Sequence, residues 1–83
     1  MTKRDTTYNG WRNRPTWNVH LWLSNEEGLY NAARTTCTEA RNLADAAHFL
    51  RELCFDVWPK RVTPDGDDLF KVNWRDVAKA FRE

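Results

Sequence analysis

The chain has 83 residues, 30% of them charged, and its thirteen Lys and Arg nearly cancel its twelve Asp and Glu to leave a formal net charge of +1. That length is one domain; the sequence has no 18-residue apolar run of the kind that spans a membrane, and its balance of charge excludes an acidic mimic of DNA. A domain this small buries only about 60% of its unfolded surface, so five tryptophans, four phenylalanines and two tyrosines point to bulky side chains supplying the buried area.

Residues 1–8 read as a polar, mobile arm, followed by a single helical domain over residues 9–83. The arm starts basic but has no apolar stretch, so an export signal is not expected and a cytoplasmic protein is. Asn9-Gly10 is a turn pair. Between residues 1 and 23, Lys3, Arg4, Arg12 and Arg14 face Asp5 alone, which makes this the one basic segment.

From Thr16 the pattern supports two readings. Trp17, Val19, Leu21 and Leu23 alternate with polar residues as in a strand, yet Trp17/Leu21 and Val19/Leu23 also sit at helical spacing. A helix is favoured, capped by Asn13 or Thr16 with Pro15 in its first turn. Trp17 and Leu21 then point to the core.

Ser24-Asn25-Glu26-Glu27 has the S-x-x-E form of a capping box. It predicts a second helix through Cys37, with Leu29, Ala32 and Ala33 on one face. Gly28 weakens that helix, and close packing against another element is one reason to keep it. Thr36 or Thr38 opens the longest predicted helix, ending at Trp58 before Pro59. Its apolar positions, Leu43, Ala46, Ala47, Leu50, Leu53, Cys54 and Val57, recur at three and four. Pro64-Asp65-Gly66 is a turn, and the carboxylates Asp65, Asp67 and Asp68 read as a solvated loop rather than a calcium site. Leu69, Phe70 and Val72 fit a short helical turn. Asn73 caps a last helix whose stripe is Trp74, Val77, Ala78 and Phe81. The expected fold is all-α, about four helices around an aromatic-rich core that includes Trp17, Trp22 and Trp74.

No catalytic constellation stands out. His20 and His48 lack a third partner at recognisable spacing, and two cysteines with two histidines form paper dyads by chance. Cys37 and Cys54 are expected as reduced, partly buried thiols, a disulfide being the alternative. Their spacing does not fit zinc. No metal, no cofactor and no enzymatic activity are expected.

The stretch "NGWRNRPTWNVHLWLSNEEGLY", from Asn9 to Tyr30, together with "VNWRDVAKAF", from Val72 to Phe81, resembles a family of small proteins carried by phages, plasmids and other mobile elements. The shared opening has the form N-G-W-x-N-x-x-T-W-x-V-x-L-W-L-x-N-x-E-G-L-Y. The loop from Pro59 to Asp68 departs from that pattern. The resemblance implies an accessory protein working in the cytoplasm of a host bacterium, and it implies no particular chemistry.

Three functions compete. The first is binding to a host protein complex, in its sharpest form the inhibition of a CRISPR or restriction defence system. Trp11, Arg12 and Arg14 on the opening loop are its candidate contacts, followed by Arg75, Lys79 and Arg82 on the last helix, because a tryptophan beside arginine is a common hot-spot pair. Trp11 has a second reading, as a lid over the core. The second function is nucleic-acid binding through the basic N-terminal segment, which the near-neutral total charge disfavours. The third is a self-associating subunit, so that a monomer and a homodimer both stay open.

Overall fold

The computed structural model describes residues 10–83; the expected arm at 1–8 and the turn at Asn9 lie outside the described residues. Four helices run in order: α1, Arg14–Asn25; α2, Glu27–Glu39; α3, Leu43–Val57; and α4, Trp74–Arg82. A single 3-10 turn, Leu69–Lys71, precedes α4. The fold is all-α, as the periodicities predicted, and residues 17–23 are helical. Among the described residues no helix is long and apolar enough to cross a membrane.

Each helix starts where a side chain replaces the missing backbone partner. Asn13 caps α1 by accepting from Thr16 N at 3.0 Å, with Pro15 in the first turn, where its lack of an N–H costs nothing. Asn42 caps α3 through Asp45 N at 2.8 Å, and Asn73 caps α4 through Asp76 N at 3.1 Å.

Two boundaries differ from expectation. Ser24 does not open α2; it is the penultimate residue of α1. The cap is Glu26, whose Oε1 accepts from Leu29 N at 2.8 Å, and that one extended residue is the whole corner between α1 and α2. Gly28 answers to the same cap rather than to a neighbouring helix, since a Cβ there would sit 3.2 Å from Glu26 Oε1. Nor do Thr36 and Thr38 open α3. Both lie inside α2, and Thr38 Oγ1 donates back to Arg34 O at 2.8 Å. The connection turns instead at Ala40–Asn42, so the longest helix is shorter than predicted, 15 residues.

The centre of the domain is aliphatic rather than aromatic. Val19 and Leu23 of α1, Ala33 and Cys37 of α2, Ala46, Leu50 and Cys54 of α3, Leu69, and Val77 and Ala78 of α4 are fully buried, and Phe81 is the one aromatic residue among the buried core residues. Trp17, Trp22 and Trp74 are all only partly buried. Trp74 packs on the core together with Trp11, Phe55 and Trp58. The inward stripe of α1 is Thr16, Val19 and Leu23, not Trp17 and Leu21. Aliphatic and small side chains fill the space between the helices at core packing density, and the indoles lie around the rim.

The two cysteines are free and buried. Burial pushes the Cys37 thiol up to about 11 against the opposing pull of Arg82. Burial, reinforced by Cys37, pushes Cys54 up to about 12. Both stay protonated and behave as small apolar groups.

Candidate functional site

The opening stretch acts first as a fastener. Asn13 caps α1 and its Nδ2 also donates to Lys71 O at 3.0 Å. Thr16, fully buried, donates from Oγ1 to Asn13 Oδ1 at 2.6 Å and accepts from Asn73 N at 2.9 Å. The cap of the first helix is thereby bonded to the cap of the last. Arg12 reaches Asp76 at 3.2 Å and Arg14 reaches Asp67 at 3.0 Å.

The same face of α1 pins the acidic loop, which is more than a solvated turn. Asp65 Oδ2 accepts from Asn18 Nδ2 at 2.8 Å and from Trp22 Nε1 at 3.0 Å. Those two hydrogen bonds hold the Asp65 carboxyl below its ordinary range. Thr63 closes the loop on itself through Asp67 N and O, and Gly66 supplies the left-handed turn at φ 91°.

Trp11 is partly buried and packs on the core. Its ring lies 4.6 Å from His20, which lies 5.5 Å from Phe81. Burial lowers the His20 pKa, favouring the neutral imidazole. Gly10, at φ 85°, turns the chain immediately before Trp11. Trp11 is therefore a lid over α1 and α4, yet its outer edge helps form a cleft. Gly10, Trp11, Asp76, Lys79, Ala80 and Glu83 line this cleft, with a volume of about 340 Å³.

Of the residues singled out in sequence, the cleft joins Trp11 and Lys79, with Arg12 tied to its wall through Asp76. It does not include the others. Arg14, at the start of α1, points to Asp67 of the acidic loop. Arg75 is exposed beside Trp74. Arg82 donates from Nη1 to Cys37 O and Ala40 O at 3.1 and 3.2 Å, covering the carbonyl end of α2, while Arg34 of α2 donates to Phe81 O at 3.3 Å in return. The sequence reading missed Asp76, Ala80 and Glu83. Their signal was available: Asp76, Lys79, Ala80 and Glu83 stand at i, i+3, i+4 and i+7, the face of α4 neighbouring its apolar stripe.

The cleft offers one cation, two carboxylates, a methyl group and an indole edge. That set suits a protein surface of mixed charge with an apolar side chain to bury. Among the described residues no cysteine is hydrogen-bonded to a histidine, and His20 Nε2 lies 3.4 Å from Ser24 Oγ. Nor does any cluster of three or more His, Cys, Asp or Glu among the described residues suit a metal ion.

Residues 4–82 match a family described as a family of unknown function, DUF7249. The chain belongs to that family. The match takes in the opening stretch and α4, and so every cleft residue but Glu83. No curated protein and no solved structure matches the chain, so membership in DUF7249 brings no activity with it.

Proposed function

We propose that this DUF7249 protein is a protein-binding accessory factor of a mobile element that engages a host protein complex, and that in its sharpest form it inhibits a CRISPR or restriction defence system by occlusion. The observation that carries the binding role is the mixed-charge cleft between Trp11 and the Asp76–Glu83 face of α4. A cleft walled by a helix face and an anchored tryptophan presents a rigid surface, and rigid aromatic anchors lose little entropy on binding. The mobile-element setting comes from the resemblance of the opening and closing motifs. The ion pairs of Arg12 and Arg14 weigh against a phosphate grip by this segment, because each guanidinium already faces a carboxylate.

The test uses Ala80→Arg, which fills the cleft from a partly exposed helix position without touching the core. Tagged wild-type protein should capture one host complex from bacterial lysate, and Ala80→Arg should lose it while melting within a few degrees of wild type. Equal capture by both proteins, or the absence of any specific complex, refutes the reading. Trp11→Ala is less informative alone, since it removes a packed lid as well as a contact.

A further inference from the structure

We infer that the face centred on Phe55, Phe70 and Trp74, remote in sequence from the basic N-terminal segment, binds single-stranded nucleic acid. The hub is Phe55 on α3. The guanidinium carbons of Arg51 and Arg61 stand 4.5 and 4.4 Å from its ring centre. Phe70 meets it edge-on at 5.4 Å and Trp74 at 6.4 Å. Phe70 is 65% exposed, more than any other large apolar side chain among the described residues. Burial does not account for an aromatic ring left in water at such a cost.

The surrounding charge is cationic. Lys71 follows Phe70 and Arg75 follows Trp74, both exposed. Neither side chain has a hydrogen bond or ion pair among the described residues. Arg61 is fixed, its backbone at φ 67° and its Nη1 donating to Pro59 O at 2.9 Å and Phe55 O at 3.3 Å. Acids share this face: Glu52 pairs with Arg51 at 3.9 Å, Asp68 sits beside Phe70 with its Oδ1 accepting from Phe70 N, and exposed Asp56 follows Phe55, so the cations offered to a ligand are Arg61, Lys71 and Arg75.

An exposed Phe70 ring set edge-on against Phe55, which itself carries two guanidinium groups, matches a ligand that offers flat faces and negative charges in alternation. A single strand does so at every nucleotide, its bases stacking on the ring and its phosphates meeting the cations. A duplex keeps its bases stacked on one another, and an acidic peptide supplies charge without a repeating flat face. This surface is independent of the Trp11 cleft, and the proposed protein-binding role can fail without affecting it.

The experiment is fluorescence anisotropy of short labelled oligothymidylate and oligouridylate, with a matched duplex as control. Single strands should bind at low salt and weaken as salt rises, with a log–log slope of about −0.7 for each phosphate engaged. Phe70→Ala should weaken binding about 5- to 100-fold, the loss of one stacked base, while the protein melts within a few degrees of wild type, since most of the ring is exposed and its edge contact with Phe55 is small. Arg75→Gln should weaken binding and reduce the salt slope by about 0.7. Replacing Lys3 and Arg4 by Gln should leave the Phe70 effect intact. Lack of binding at low salt, binding indifferent to Phe70→Ala, or tighter binding of the duplex overturns the inference. So does capture of an acidic protein through Phe70 without any oligonucleotide binding.

Discussion

Thr16→Val removes a hydroxyl and keeps the shape. In the folded protein that hydroxyl makes two hydrogen bonds, to Asn13 Oδ1 and from Asn73 N, in a fully buried setting. Valine restores neither. Each of the two lost bonds costs about 1 kcal/mol, and the stranded Asn73 N–H adds desolvation of about 1–3 kcal/mol, so the expected loss is about 3–5 kcal/mol. A chain of 83 residues holds a total stability of only about 4–12 kcal/mol at the usual value per residue. The loss is then large enough to read directly from urea unfolding followed by tryptophan fluorescence, with an unchanged m-value. Thr16→Ser, which keeps the hydroxyl and drops a methyl, should cost about 1 kcal/mol. If Thr16→Val costs less than about 0.5 kcal/mol, within the range of surface substitutions, the bond between the two caps does not hold the first and last helices together.

Leu50→Ala should destabilise by about 2–5 kcal/mol, since the side chain is fully buried in α3; a surface-sized effect would show that the wrong face of α3 has been placed inside. Cys37 and Cys54 should resist a thiol reagent in the folded protein near neutral pH, where both are protonated, and both should react in denaturant without reductant; labelling that requires reductant would reveal a disulfide. The His20 pKa is lowered from its ordinary 6.5 by burial, so its contribution is fully present above 6.5 and is lost as pH falls through that value towards the folded pKa. Unfolding midpoints measured across this range should decline with acid for wild type and decline less for His20→Phe; parallel profiles would refute the assignment.

The helices were legible because their signals are local. Asn73 with Asp76, Pro59 after Trp58, and the three–four spacing of Ala46, Leu50 and Cys54 each concern neighbours on one turn or face. The misplaced boundaries come from competition among equally good local signals. Ser24 and Glu26 both offer a capping oxygen, and the chain bends at Glu26; Thr36, Thr38 and Asn42 compete likewise, and Asn42 is the one that caps α3. The tryptophans misled for another reason. Periodicity says which residues share a face but not which face turns inward, and here Val19 and Leu23 are buried while Trp17 and Trp22 lie at the rim. The candidate site was half legible: Trp11 and Lys79 were found separately, and only the long-range bonds of Asn13, Thr16 and Arg12 bring their neighbourhoods together.

The bond between Thr16 and Asn73 spans 57 positions of chain, which gives the domain a direction in time. During synthesis the opening stretch leaves the ribosome long before Lys71 and Asn73 exist to receive it. Until then α1 has its own Asn13 cap, but Thr16 Oγ1 has no Asn73 N–H to accept from and Asn13 Nδ2 has no Lys71 carbonyl to reach. Closure of this joint waits for the last helix, so the contact between the two ends is one of the domain's long-range contacts and completes only when the chain is nearly whole. A nascent chain stalled before Lys71 would carry Trp11 without the α4 surface it packs beside, an open form for chaperones or proteases to find.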